Sequence, residues 1–287
     1  MRWPHPKFGD VSPSEFIPIA EETGLIIPMT RWVFSEVGKL LQQWMEKGVP
    51  LLPVSINVSV RLFESRQLIE MTRTLLESAN LSPHVIELEI TESMMLYDVK
   101  DMIRQLSELR SLGVRISMDD FGSGYSSLGT LDQIPIDTIK IDQLFIRESD
   151  SPAKRAIVGA IIEMALNLQL DLVAEGVETV EQIDFLRSSG CNVMQGYYYG
   201  KPMDVSEMDN WIARNMDERL TEDSSFKKTI GHKYGAASRS FIGFDLKAAL
   251  IPPYFCIHRQ YPRRVNSYLF SQGVSYLPFP SKSIIIR

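Results

Sequence analysis

Several short apolar segments of this sequence end on side chains that can bind a cation or move a proton. Asn57 lies in the segment 54–59, Glu89 and Glu92 close 86–90, and Asp119 and Asp120 follow 114–118. Lys140 and Asp142 belong to 139–141, Glu175 and Glu178 follow 172–174, and Gln195 lies in 194–199. Carboxylates gathered at that density repel one another and take up protons unless a cation neutralises them. A donor set of carboxylate and amide oxygens without thiolate or imidazole suits hard divalent ions, Mg²⁺ or Mn²⁺. The adjacent pair Asp119-Asp120 is suited to bridging two ions about 4 Å apart, an arrangement used to hydrolyse phosphodiesters. Lys140 would add a fixed positive charge beside the scissile phosphate or the attacking water.

Each of these residues has a plainer explanation. A single Asp or Glu at a strand end is more often a helix cap or a surface charge. Their recurrence at six strand ends shifts the reading toward a site. Asp137 and Asp171 precede their strands and read as turn or surface residues. Asp120-Phe121-Gly122 resembles a kinase motif, but no H-R-D loop or V-A-I-K strand accompanies it. Gly122-Ser123-Gly124-Tyr125-Ser126-Ser127 lacks the Gly-Lys-Ser/Thr of a phosphate-cradling loop and reads better as a loop closing over the site. None of His5, His84, His232 and His258 has catalytic spacing, and Cys191 and Cys256 form no metal or disulfide pattern.

The segments that carry these side chains alternate with helical ones. Ser12-Pro13-Ser14-Glu15 has the spacing of a capping box and opens a short helix through Phe16, Ile19 and Ala20. A second helix is expected from about Thr30, with Trp32, Val33, Val37, Leu40, Leu41 and Trp44 on its apolar face and Gly48 as its stop. Further helices follow through 68–76, 103–112 and 153–168, and an amphipathic one through Val205, Met208, Trp211 and Ile212. Six strands alternating with helices make an α/β protein, either a closed barrel or an open doubly wound sheet. In a barrel the C-terminal strand ends share one face, where active sites are built.

The 287 residues suffice for one such domain, since α/β barrels run to about 250 residues. The net charge of −6 hides an asymmetry: residues 219–287 hold 11 Lys+Arg and 3 Asp+Glu, and residues 1–218 hold 19 and 33. An acidic body argues against a nucleic acid polymer as partner, because that binding neutralises phosphates with Lys and Arg. Residues 217–287, broken by Pro252, Pro253, Pro262, Pro278 and Pro280, are expected to lie outside the barrel, which takes 1–216. A small partner-binding or membrane-surface segment is the other reading of that tail. No run of 18 apolar residues and no signal-peptide pattern is present, so a cytoplasmic location without a membrane segment is expected.

Taken in order, Phe16-Ile17-Pro18-Ile19-Ala20-Glu21, Glu89-Ile90-Thr91-Glu92, Asp119 to Leu128, Lys140-Ile141-Asp142, Ala174 to Thr179 and Gln195-Gly196-Tyr197 closely resemble the motifs of the EAL domain family. The resemblance spans about residues 1–216. It implies a TIM-type (β/α) barrel that linearises cyclic di-GMP to pGpG with two Mg²⁺ or Mn²⁺ ions. By matching motifs, Asn57, Glu89, Asp119, Asp120 and Glu175 are the implied metal ligands. Glu175 doubles as the water activator and Lys140 is the catalytic lysine. Glu92 is the implied anchor of the 119–128 loop, and Arg2, Glu178 and Gln195 are the implied substrate contacts. The family's Glu-Ala-Leu signature precedes x-Arg-Trp, here Met1-Arg2-Trp3, so the signature and most of the first strand are expected to be missing. That loss bears on how much of the activity this chain keeps. An inactive cyclic di-GMP-binding regulatory module and a non-functional gene fragment are the alternatives. Dimerisation and an upstream diguanylate cyclase or sensor domain are common in the family.

Overall fold

A computed structural model describes residues 3–49, 51–96, 98–124, 128–149 and 151–213. Arg2 and the tail 217–287 lie outside the described residues. Two compact units are distinguished; among the described residues the first holds 3–200 and the second 201–213.

The first unit opens with a hairpin that sequence periodicity did not suggest. Strands β1 (Trp3–His5) and β2 (Gly9–Val11) pair antiparallel, with Trp3 opposite Val11. Helix α1 (Pro13–Glu22) follows, capped by Ser12, whose hydroxyl accepts the Ser14 N–H at 3.3 Å. The expected capping-box partner Glu15 instead donates its backbone N–H to the Ser12 carbonyl. Helix α2 (Ile26–Glu46) begins four residues earlier than expected and buries Phe34, Val37, Leu40, Leu41 and Trp44. Trp32, assigned to that apolar face from its spacing, is exposed.

A five-stranded parallel sheet forms the centre, in the order β3 (Val54–Asn57), β4 (Ile86–Thr91), β5 (Arg115–Phe121), β6 (Thr138–Ile141) and β7 (Asp171–Ala174). Between β3 and β4 lie α3 (Val60–Glu64) and α4 (Leu68–Ser78), and between β4 and β5 lies α5 (Val99–Ser111). Helices α6 (Gln143–Arg147) and α7 (Pro152–Asn167) connect β6 to β7, and α8 (Val180–Ser188) follows β7.

Successive side chains of a strand point to opposite faces. One set, including Ile86, Leu88, Ile90, Ile116, Met118, Ile139 and Ile141, is fully buried and apolar. The other set is polar: Ser55 and Asn57, Glu87 and Glu89, Arg115, Ser117 and Asp119, Thr138 and Lys140. The polar set is the less buried of the two, with Ser55, Glu87 and Arg115 half-buried and Asn57 exposed, and it lines the interior of the barrel.

The expected sixth strand is reduced to a single parallel bridge between Ala174 and Met194. After Gln195 the backbone runs against Val177, so close that a β-carbon on Gly196 would overlap the Val177 peptide. It then turns, with Tyr199 N–H bonded to the Gly196 carbonyl. In the second unit, residues 205–213 are helical with Met208 and Ile212 buried and Val205 exposed.

Candidate active site

Lysine 140 stands at the centre of the polar lining. Its Nζ lies 2.8 Å from Glu89 Oε1, 3.0 Å from Asp119 Oδ1 and 2.7 Å from Glu175 Oε1. All four side chains are almost wholly buried. Burial alone would push the ammonium toward the neutral amine, but the Glu89, Glu175 and Asp119 carboxylates outweigh it and hold the Lys140 pKa well above the ordinary lysine value. Asn57 donates from Nδ2 to Glu89 Oε2 at 2.9 Å, which fixes the carboxylate from its other side.

The aspartate pair does not follow β5, as the sequence suggested; it lies inside the strand, at a bulge. Met118 pairs with Ile139 and Phe121 with Ile141, so two aspartates stand where β6 offers Lys140 alone. An extra residue in one strand breaks the alternation of side chains and re-aims them. Asp120 takes φ +54°, the left-handed region that short polar side chains tolerate best after glycine. Its backbone N–H donates to Asp119 Oδ1 at 3.1 Å. As a result one carboxylate oxygen from each of Asp119, Asp120 and Glu175 falls within 4.8 Å of the others.

This donor set fits a divalent cation. The carboxylates of Glu89, Asp119 and Glu175 converge around one buried ammonium, and the exposed Asp120 offers a carboxylate oxygen within 4.8 Å of those of Asp119 and Glu175, leaving an excess of negative charge. Hard oxygen ligands of this kind hold Mg²⁺, Mn²⁺ or Ca²⁺.

Beyond the bulge, Glu92 is buried and its Oε2 accepts the N–H groups of Gly122 at 2.8 Å and Gly124 at 3.1 Å. A β-carbon on Gly124 would press on that carboxylate, and one on Gly122, at φ +95°, would meet the Phe145 ring at 2.7 Å. The glycines are therefore fitted to what they touch.

Gln195 joins the Glu175 segment through the main chain: its N–H donates to the Ala174 carbonyl and its carbonyl accepts from Val177. Glu178 is exposed, with its carboxylate 3.5 Å from Arg147, outside the group around Lys140. Asp142 caps α6 by accepting the Leu144 N–H at 2.8 Å, the plainer of its two readings. Asp137 and Asp171 are more than surface charges. Asp137 accepts the Ile116 N–H and pairs with Arg110, and Asp171 pairs with Arg115 at 2.6 Å.

Sequence reasoning passed over a second polar tier beneath the first. Arg115 donates to Thr138 Oγ1 at 2.8 Å and to Asp171, and its Nε lies 3.5 Å from Glu87. Burial raises the Glu87 pKa, with Arg115 opposing the rise. The overlooked signal was parity, because Glu87 and Arg115 share the strand face of Glu89 and Asp119.

Known proteins similar to this chain share one domain family. The EAL domain model matches residues 1–202. The chain is 41% identical over 201 residues to the signaling protein YkoW of Bacillus subtilis, covering 70% of this chain and 25% of that protein. It is 36% identical over 215 residues to the cyclic di-GMP phosphodiesterase PdeR of Escherichia coli, covering 75% and 32%. The chain thus spans about a quarter to a third of the length of these relatives. Among solved structures, the MucR phosphodiesterase in complex with c-di-GMP superposes with a TM-score of 0.69 at 39% identity, over 72% of this chain and 84% of that one. The fold is therefore the TIM-barrel type of those domains, and the chain belongs to the EAL domain family.

Proposed function

We propose that this chain is a cyclic-guanylate-specific phosphodiesterase that opens cyclic di-GMP to linear pGpG with two Mg²⁺ or Mn²⁺ ions. The observation that carries the proposal is the bulge that brings Asp119 and Asp120 to Glu175 beside Lys140. Asn57, Glu89, Asp119, Asp120 and Glu175 would hold the ions, which would lower the pKa of bound water and screen the phosphate charge. Glu175 takes the proton from the attacking water. Water adds to phosphorus as the bond to the leaving ribose oxygen breaks, and that oxygen takes up a proton from solvent to become the free hydroxyl of pGpG. Lys140, kept protonated by its carboxylate neighbours, holds Glu89, Asp119 and Glu175 in place and meets the charge that develops on the phosphoryl oxygens. Glu92 fixes the start of the loop after the bulge, and Arg2, Glu178 and Gln195 belong to the substrate-binding rim.

The named activities and bound c-di-GMP of PdeR and MucR support this reading. We assign residues 1–216 to the catalytic unit and 217–287 to a separate tail. Work in the cytoplasm, as a homodimer and beside an upstream cyclase or sensor domain, completes the proposal. Among the described residues no helix is long and apolar enough to cross a membrane.

The test is incubation of the purified chain with cyclic di-GMP and Mn²⁺, followed by chromatography. Formation of pGpG that disappears with EDTA and with Asp119→Asn is expected. Tight binding of the dinucleotide without any pGpG would place the chain among receptors instead.

A further inference from the structure

Glu175 stands at the exit of β7, and the next residues, 176–179, form the connection to α8. That connection rests on the short helix α6, which begins three residues after Lys140, past the end of β6 and the cap Asp142. Gly176, at φ +69°, presses against Gln143, where an added β-carbon would come within 2.5 Å of the Gln143 side chain. The side chain of Gln182 supplies a second attachment. Its Oε1 accepts the N–H groups of Glu178 at 2.7 Å and Thr179 at 3.1 Å, and its Nε2 donates to the Ile146 carbonyl of α6 at 3.1 Å. These partners fix the orientation of the amide, because the reverse would put its NH₂ against two N–H donors.

An ordinary capping box needs less than this. Thr179 Oγ1 accepts the Gln182 N–H and Gln182 answers the Thr179 N–H, which completes the cap of α8. A glutamate would serve that purpose equally well. The bond to Ile146 requires an amide, since a carboxylate has no donor. It reaches the Ile146 carbonyl near the end of α6, which also accepts the Ser149 N–H at 3.2 Å, so the amide adds a side-chain tie to a carbonyl already held by the end of the helix. Gln182 therefore ties the segment after Glu175 to the segment after Lys140, the two groups that stand 2.7 Å apart in the site.

We propose that Gln182 is a positioning residue that sets Glu175 against Lys140 by clamping residues 178–179 to helix α6. The proposal rests on the phosphodiesterase reading above and extends it to a residue that touches neither substrate nor metal. A ligand held within about 0.5 Å of its working place needs support of this kind from its neighbours.

The experiment compares the full wild-type chain with Gln182→Ala and Gln182→Glu in three measurements: amide hydrogen exchange of the peptide 175–182, calorimetric titration with Mn²⁺, and hydrolysis of cyclic di-GMP at saturating Mn²⁺. In Gln182→Ala, exchange in 175–182 should accelerate at least tenfold while peptides from β4 and β5 stay unchanged. Its Mn²⁺ Kd should rise at least fivefold and its kcat fall at least tenfold, with KM within twofold. Gln182→Glu keeps both acceptor bonds and loses the donor, so exchange in 175–182 should stay near wild type while Mn²⁺ affinity and kcat drop. An added negative charge would by itself strengthen Mn²⁺ binding, so that drop is not a charge effect. Wild-type Mn²⁺ affinity in Gln182→Glu would overturn the proposal and leave Gln182 as a helix cap. If Gln182→Ala loosens every peptide alike, Gln182→Glu decides the matter on the same criteria. Wild-type chain that binds Mn²⁺ without making pGpG would defeat the phosphodiesterase reading, and the exchange and Mn²⁺ measurements would still judge the clamp.

Discussion

At the scale of single residues, the site is a balance of charge around Lys140. Removing one partner of a buried ion pair costs ~3–5 kcal/mol, because the other charge stays in place. Lys140→Met should therefore lower the stability of the metal-free chain by about 3 kcal/mol or more, with turnover lost. The pH dependence of that cost follows from the direction of the pKa shift. A lysine whose folded pKa lies above its unfolded value of about 10.4 contributes stability fully below that value and loses it as pH climbs through the folded one. Urea unfolding of wild type and Lys140→Met in EDTA should then give a difference that does not shrink as pH rises from about 6 to 9, and that is smaller at lower pH, where the carboxylates left without the ammonium take up protons. A difference that shrinks by half across that window would mean the ammonium titrates there. Cys191 gives an independent check on the interior. Burial pushes its thiol up to about 11, so it carries almost no thiolate at neutral pH. Iodoacetamide at pH 8 should leave Cys191 unmodified in the native chain and label it in urea, as read by peptide mass mapping. The residues around Lys140 were legible in the sequence because the C-terminal ends of barrel strands share one face. Glu178 was gathered with them by the same rule, yet its side chain turns to Arg147.

Elements decide how those side chains are aimed, and here the sequence was less transparent. The pattern apolar Met118, polar Asp119 and Asp120, apolar Phe121 reads as a strand that stops at Met118. In the structure the strand continues through Phe121, with a bulge taking up the additional residue. Local pattern cannot register a bulge, because its evidence lies in the pairing with Ile139 and Ile141. The turn after Gln195 was hidden for a similar reason: what bends the chain is the Val177 backbone, distant in sequence. The hairpin of β1 and β2 has three-residue strands containing His5, Gly9 and Pro4, too short and too mixed for a period of two to appear. The glycine after the bulge can be tested directly. Gly122→Ala places a β-carbon at φ +95° and 2.7 Å from Phe145, so strain and overlap together should cost ~2 kcal/mol. If the ring is part of that cost, Phe145→Leu in the same chain should restore about 0.5 kcal/mol or more in a double-mutant cycle. Strict additivity of the two substitutions in chemical denaturation would show that the backbone conformation alone makes Gly122 necessary.

For the molecule as a whole, the barrel interior is stacked in two polar tiers, and the lower one supports the upper. Arg115 on β5 reaches Glu87 on β4, Thr138 on β6 and Asp171 at the start of β7, so one side chain links four neighbouring strands. Two residues further along β4 and β6 stand Glu89 and Lys140, and four residues beyond Arg115, at the bulge, stands Asp119. The lower tier was not legible because a charged residue inside a strand usually signals a solvated face, whereas here Glu87 and Arg115 are half-buried and paired across strands. Its energetics give a signed prediction. Glu87 has a folded pKa above its unfolded value, so its ionisation opposes folding, and stability falls as pH rises through that interval. Arg115 opposes this rise, and removing it should lift the Glu87 pKa further. Arg115→Met should therefore cost about 3 kcal/mol at pH 8 and clearly less at pH 5, where Glu87 is closer to its protonated form. Adding Glu87→Gln to Arg115→Met should flatten that pH dependence, since the amide carries no charge at either pH. Equal losses at pH 5 and pH 8 in Arg115→Met would mean that the arginine acts through its bonds to Thr138 and Asp171 alone. In that case the two tiers would be coupled by strand register and not by charge.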